Sequence, residues 1–251
     1  MDIAAFLKRI DYCGSIEPTE PTLRALHRAF VQTVPFENLD IHRNRRIVLD
    51  EQAFFRKIVQ HRRGGFCYEL NGLFAAVLRS LGFNVELLSA RVFDGDGVMG
   101  REFVHLILRA NLEKPWIADV GFGDWSSEPL RLKIGDEQRV DGQRYRLILQ
   151  GEHHIAQKQQ EDGSWKSRYA FTLIPRRLCE FAAICEDLQT APDSAFRRHR
   201  MCTRATPDGR ITLTEQRLIV TANGQRNELP IHDERAYLDA LFTHFGIVLP
   251  D

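Results

Sequence analysis

The chain has 251 residues, 43% of them hydrophobic, enough to bury one large domain or two to three small ones without disulfide staples. Thirty-four basic and thirty-four acidic residues cancel, so no global field directs the protein to nucleic acid or an anionic membrane, and a small-molecule partner is the default. Five cysteines, at 13, 67, 179, 185 and 202, form no C-x-x-C pair and leave an odd one out, which points to a reducing compartment, the cytoplasm. No run approaches the roughly 20 apolar residues of a membrane span, and Asp2 precedes only a short apolar run, so the chain reads as soluble and unprocessed.

In chain order, Asp2 can cap a short helix carrying Phe6, Leu7 and Ile10. Thr19 or Thr22, with Pro21, opens a second helix with Leu23, Leu26, Phe30 and Val34 on one face, ended by Pro35. Pro35 to Asp40 reads as an extended or irregular link, and Asp50 starts a helix with Phe54, Phe55, Ile58 and Val59 inside. Leu70, Leu73, Phe74, Val77, Leu78 and Leu81 then recur at helical spacing, which predicts a buried helix from about Cys67 to Leu81 stopped by Gly82. Gly64 and Gly65 let the backbone turn into it and put Cys67 in its first turn, where free N–H groups and the helix dipole are expected to lower the thiol pKa.

From Val85 the period changes to two. Val85 to Phe93, Phe103 to Arg109 and Trp116 to Phe122 read as antiparallel strands, with Asp94 to Gly97 an exposed loop. His105 shares a face with Phe103 and Ile107, and Asp119 shares one with Ile117, so two polar groups stand among hydrophobic ones and each needs a partner. A three-residue loop, Asn111-Leu112-Glu113, sets them directly opposite, with Cβ atoms roughly 4.5 to 5.5 Å apart; an even loop throws them onto opposite faces. Arg144 to Gln150, Ile155 to Gln159 and Trp165 to Leu173 extend the β pattern, and Leu178 to Leu188 reads as a helix. Strands at Arg200 to Thr206, Ile211 to Val220 and Asn227 to Leu229 follow, with turns at Pro207-Asp208-Gly209 and Asn223-Gly224. Asp233 caps a final helix whose Tyr237, Leu238, Leu241, Phe242 and Phe245 form an apolar stripe, ended by Gly246.

Cys67, His105 and Asp119 offer nucleophile, base and orienting acid from three different elements. Arg63-Gly64-Gly65-Phe66-Cys67-Tyr68-Glu69-Leu70-Asn71 resembles the active-site signature of the arylamine N-acetyltransferases, with the two aromatics around the cysteine exchanged, a change of little weight unless the hydroxyl has a specific partner. Pro35-Phe36-Glu37-Asn38 resembles a second segment of that family, and Asp119-Val120-Gly121-Phe122-Gly123 matches a third in full. Val104 departs from the threonine that commonly precedes the family's histidine.

The resemblance implies acyl transfer in two half-reactions from acetyl-CoA, a co-substrate, through a Cys67 thioester to an arylamine or hydrazine, with neither metal nor prosthetic group. The order of elements reads as an α+β fold with a helical region at 1–84, a central antiparallel β-barrel-like module at 85–190 and a C-terminal α/β lid at 191–251, to which the resemblance adds a cysteine-protease-like core. It places Phe36, Val92 and Phe122 at the substrate pocket and Gly123, Ser194 and Phe196 toward the coenzyme. Of the basic runs at 43–46 and 197–200, one can meet the coenzyme's phosphates. Typical members continue beyond the last helix, and the short tail resembles the related amide synthases, which implies room for acyl groups larger than acetyl. A cysteine hydrolase or transglutaminase uses the same residue order, with acceptor choice as the difference, and a non-enzymatic binding module on the same fold is the third class. His153, His154, Cys179, Cys185 and Cys202 lack the spacing of a zinc site. Oligomeric state is open.

Overall fold

The computed structural model describes residues 1–249. Pro250 and Asp251, the end of the expected 191–251 unit, lie outside the described residues. Helices α1 (Ile3–Arg9) and α2 (Glu20–Thr33) lead to a two-residue strand β1 (Phe36–Glu37) and a single turn α3 (Leu39–His42). The link expected at Pro35 to Asp40 as extended or irregular is extended at Phe36–Glu37 and then turns into α3. Helix α4 (Glu51–Phe55) runs into a π-helical turn, Arg56–Gln60, before α5 (Cys67–Ser80). Asp2 and Asp50 accept from Ala5 N and Ala53 N, as caps should, whereas Thr19 makes no side-chain cap bond.

Strands β2 (Val85–Val92), β3 (His105–Asn111), β4 (Pro115–Ala118), β5 (Leu130–Arg131), β6 (Glu137–Val140), β7 (Gln143–Gln150), β8 (His153–Gln159) and β9 (Trp165–Arg176) form an eight-stranded antiparallel sheet. Its order is β5-β4-β3-β2-β9-β8-β7-β6. After a 3₁₀ turn at Leu178–Phe181 come α6 (Ala182–Thr190) and α7 (Ala195–Arg198). Strands β10 (Met201–Thr206), β11 (Gly209–Thr214), β12 (Arg217–Ala222) and β13 (Gln225–Pro230) precede α8 (Glu234–Phe245). These four strands form a second sheet whose fifth member is β1, paired through Phe36↔Thr203 and Glu37↔Cys202.

Strand β3 feeds two cores by simple alternation. Leu106 and Leu108 pack with Phe30, Phe74 and Leu70 of the helices, and Ile107 packs with Trp125, Tyr145 and Tyr169 inside the large sheet. A third core lies between the small sheet and α8, where Cys202, Leu213 and Leu218 meet Tyr237, Leu241 and Phe245.

Several expectations are corrected. The run from Ile211 to Val220 is two strands, because Thr214 Oγ1 accepts from the N–H groups of Gln216 and Arg217 and turns the chain. Strand β6 has alternating charges and little apolar signal, so the sequence pattern hid it; the left-handed pair Asp141 (φ 47°) and Gly142 (φ 77°) makes its hairpin with β7. On α8 the apolar stripe is only half used: Leu238 and Phe242 are 40% and 62% exposed, since the third core contacts only the face carrying Tyr237, Leu241 and Phe245.

A buried ionic cluster mounts the start of α5. Lys57 Nζ lies 2.9 Å from both Glu69 oxygens and 2.8 Å from Asp40 Oδ2, while Arg63 Nη2 lies 2.8 Å from Glu37 Oε1 and 3.0 Å from Asp40 Oδ1. Glu69 Oε2 also accepts from Phe66 N at 3.1 Å, the backward half of a capping box. Burial, with Glu37 and Asp40 nearby, carries the Glu69 carboxyl up to about 6 against the pull of Lys57. Lys57→Met removes the cation common to all three carboxylates and is expected to cost about 3–5 kcal/mol. Thermal unfolding checks this. Because the folded-state Glu69 is already raised, acidification toward pH 5 should return part of the loss by protonating it.

Candidate active site

Helix α5 is buried along most of its length, from Cys67 to Leu78. Neither glycine before it has a positive φ, so they serve close approach rather than a special turn. A Cβ at Gly64 would stand 2.1 Å from the Pro35 carbonyl oxygen, and one at Gly65 2.9 Å from Glu69 Cβ. The Tyr68 hydroxyl has a specific partner: it donates to the Phe103 carbonyl at 2.7 Å, where the chain adopts φ 64° just before β3. The exchanged aromatic of the cysteine motif therefore carries weight.

His105 and Asp119 do meet, though not in the expected register. The ladder runs Leu108↔Ala118 to Asn111↔Pro115, leaving the loop Leu112-Glu113-Lys114, one residue later than expected, which shifts the pairing by two residues. An odd loop keeps both side chains on one face. Strand β4 ends at Ala118, so Asp119 lies just beyond it and reaches diagonally, with His105 Nε2 2.8 Å from Asp119 Oδ2. The other carboxylate oxygen accepts from Asn71 Nδ2 at 2.9 Å and Gly121 N at 3.0 Å. Burial works to raise the Asp119 carboxyl, but the adjacent His105 and these hydrogen bonds outweigh it and hold the group below its ordinary range.

Asn71 is the residue that sequence reasoning quoted without giving it a role. Its Nδ2 donates to the Leu106 carbonyl at 2.7 Å as well as to Asp119, and its Oδ1 accepts from Val120 N at 3.0 Å. It stands one helical turn from Cys67, so this amide fastens the nucleophile's helix to both the histidine and aspartate segments. Gly121 permits the approach: a Cβ there would meet Cys67 Cα at 2.8 Å and Asn71 Nδ2 at 2.7 Å. Cys67 Sγ lies 3.9 Å from the carbonyl oxygen of Val104, the residue before His105. His27 is the second missed residue, buried in α2, with Nε2 accepting from Asp119 N at 3.2 Å. A lone histidine on an apolar helix face gives no signal that its partner lies across the fold.

The expected depression of the Cys67 thiol is not found. Cys67 is 3% exposed, and burial pushes its thiol well above the ordinary value, with the neighbouring Cys185 and Asp119 acting in the same sense. Backbone N–H groups of Leu106 and Tyr68 oppose this without offsetting the burial.

Phe36, Phe122 and Gly123 line a narrow cleft together with Asp119, Trp125, Thr203 and Arg210. Gly123 takes φ 82° there and sits with Phe122. The Phe122 ring stands edge-on to His105 at 5.1 Å and 5.3 Å from Tyr169. Val92 is not among the cleft's lining; it pairs with Tyr169 across β2 and β9. The Phe196 ring packs at 6.3 Å from Phe36 and 6.0 Å from Phe66, on the nucleophile's side. Ser194 is spent on structure, its hydroxyl donating to the Leu188 carbonyl at 2.7 Å. Of the basic runs, Arg200 forks onto Glu234 and Arg46 pairs with Glu186. No group of three or more metal-ligating side chains occurs among the described residues.

Comparison with known proteins converges on one group. The N-acetyltransferase family model matches residues 20–251. The arylamine N-acetyltransferase of Escherichia coli (strain K12) is 36% identical over 255 residues, 98% of this chain and 89% of that protein. The solved arylamine N-acetyltransferase from Salmonella typhimurium superposes with a TM-score of 0.93 at 34% identity, covering 99% of this chain and 92% of that one. The Mycobacterium marinum arylamine N-acetyltransferase in complex with CoA gives 0.91 at 31% identity over 98% and 93%.

Asn71→Ala tests the joint between helix and sheet. It leaves the Leu106 carbonyl, Val120 N–H and Asp119 Oδ1 each short of a buried partner, at about 1–3 kcal/mol per group. Denaturant unfolding should show the variant destabilised by several kcal/mol, and unchanged stability would mean that water replaces the amide.

Proposed function

The chain belongs to the arylamine N-acetyltransferase family and is an acyltransferase, and from this we propose that Cys67, His105 and Asp119 carry its reaction, from acetyl-CoA to an arylamine or hydrazine nitrogen. The observation that carries the reading is the 2.8 Å contact between His105 Nε2 and Asp119 Oδ2, tied through Asn71 to the helix that begins at Cys67. With its Nε2–H donated to the carboxylate, His105 keeps Nδ1 as a basic lone pair for the thiol proton.

In the first half-reaction Cys67 gives its proton to His105 and the sulfur attacks the thioester carbonyl. The bond to the coenzyme sulfur breaks, and the leaving thiolate recovers that proton. In the second, the amine nitrogen attacks the Cys67 thioester, His105 takes the amine proton, and the carbon–sulfur bond breaks to restore the thiol. Backbone N–H groups in the first turn of α5, Cys67's own among them, are suited to the oxyanion of each step. Burial disfavours a lone thiolate, so an imidazolium formed beside the sulfur stabilises the charge there, and Asp119 in turn balances the imidazolium.

The Phe36, Phe122 and Gly123 cleft is the place proposed for the arylamine ring. The family correspondence supports a place for Val92 at the acceptor pocket and for Phe196 and Ser194 near the coenzyme. The reaction needs neither metal nor prosthetic group, since thiol, imidazole and carboxylate supply nucleophile, base and balancing charge. Neutral net charge supports small-molecule partners rather than nucleic acid or membrane, and among the described residues no helix is long and apolar enough to cross a bilayer. Five unpaired cysteines support a cytoplasmic setting. The proposed organisation keeps a helical unit at 1–84, a β unit at 85–190 and a terminal unit at 191–251.

Intact mass after mixing with acetyl-CoA alone should show one acetyl group, placed on Cys67 by peptide mapping and released as acetylarylamine when an arylamine is added. Cys67→Ala should abolish the adduct. Release to water as fast as to amine would instead support the hydrolase reading, and an adduct on exposed Cys13 or Cys179 with activity surviving Cys67→Ala would remove Cys67 from the mechanism. Asp119→Asn should keep the fold and slow acylation by roughly 10⁴-fold, measured in single turnover. Near-normal acylation in that variant would leave Asp119 a purely structural part.

A further inference from the structure

We infer that His27 is a positioning residue of this reaction: its ring, lodged between Ser127 and Asp119, fixes the main chain at Asp119 and so aims the carboxylate at His105. The inference rests on the roles proposed above for Cys67, His105 and Asp119.

His27 is fully buried in α2, and both ring nitrogens are used in opposite senses. Nδ1 stands 2.9 Å from the Ser127 carbonyl oxygen, which can only accept, so Nδ1 carries the proton. Nε2 then holds the lone pair that receives Asp119 N–H. Phe74 meets the ring edge-on at 5.9 Å and Asp119 lies just past the end of β4, so the ring takes over where the sheet stops holding the chain.

The grip is not isolated. Arg24 and Arg28, three residues before and one after His27, hold the two oxygens of Glu128 at 2.9 and 2.7 Å. Arg28 also pairs with Asp141 at 2.9 Å. One edge of α2 therefore clasps Asp119 at one end and Ser127–Glu128 at the other, bracketing the segment that carries Phe122, Gly123 and Trp125 into the cleft. Tautomer is decisive. Burial carries the imidazole down to about 4, against the Ser127 carbonyl and the Asp119 and Glu128 charges, so the ring stays neutral. An imidazolium would donate at both nitrogens and turn a donor toward the Asp119 N–H. A rigid ring with a donor on one side and an acceptor on the other answers both neighbours; phenylalanine fills the space and answers neither.

The test compares His27→Phe and His27→Gln with the parent enzyme in single-turnover acylation and steady-state kinetics. His27→Phe should lose roughly 10- to 100-fold in kcat with the arylamine KM unmoved, because misaim rather than binding is at fault. Its pH–rate profile should move in the same sense as that of Asp119→Asn. His27→Gln, whose amide donates and accepts, should recover most of the rate. A folded His27→Phe with parental rate and pH profile overturns the inference. If Asp119→Asn is equally silent, the failure belongs to the proposed triad and not to His27. An independent arm needs no variant: ¹⁵N spectra of the parent enzyme should show His27 as the Nδ1–H tautomer, without titration between about pH 5 and 8. An Nε2–H tautomer, or a titrating His27, overturns the inference whether or not the variants fold.

Discussion

The amide of Asn71 is the joint on which the site depends. Helix and sheet each fold by their own local rules, yet nothing in those rules aligns a cysteine at a helix start with a histidine on one strand and an aspartate just past the end of the next. The alignment is made by one side chain whose two polar atoms reach Leu106, Asp119 and Val120. The joint lies in a fully buried place, where an unsatisfied group is costly, so it is held in one arrangement. Gly121 belongs to the same device, because a larger residue there would push the two halves apart at Cys67 Cα.

Around this joint, charge is managed by pairing. The Glu69–Lys57–Asp40–Arg63–Glu37 cluster secures the front of α5 to the segment around β1, and Glu69 spends one oxygen on Phe66 N as well. Behind the sheet, α2 holds the strand end at Asp119 through a neutral ring. At the nucleophile, burial works against charge on the sulfur, pushing the Cys67 thiol above its ordinary value.

Much of this was legible in the sequence because it is periodic or carried by a motif. The 3.6-residue pattern after Cys67 gave α5 nearly to the residue, and the alternation around His105 and Ile117 gave the two strands that matter. Loop parity put His105 and Asp119 on one face even though the register was off by two, since parity survives a shift of two where opposition does not. What stayed hidden was of three kinds. Strand β6 has Val140 as its one apolar residue, and its existence comes from a turn and from pairing with β7. His27 and Asn71 act through partners 92 and 48 residues away, which no local pattern announces. The direction of the Cys67 shift depends on how completely tertiary packing buries it, and the helix-end argument contains no such term.

Strand β1 has a consequence for how the protein is made. Phe36 and Glu37 pair with Thr203 and Cys202, and Asn38 Oδ1 accepts from Met201 N, 163 residues away in the chain. The same short segment bonds to Gly65 ahead of the nucleophile, with Glu37 N donating to the Gly65 carbonyl and Gly65 N to that of Pro35. During synthesis the helices and their cysteine leave the ribosome long before β10 exists to receive β1. Loop-closure entropy is then spent on the longest contacts last, and the segment beneath Cys67 lacks its partner strand until about four-fifths of the chain has been made. A ribosome stalled before β10 would hold a nearly complete helical core in which the floor of the nucleophile's turn is still open.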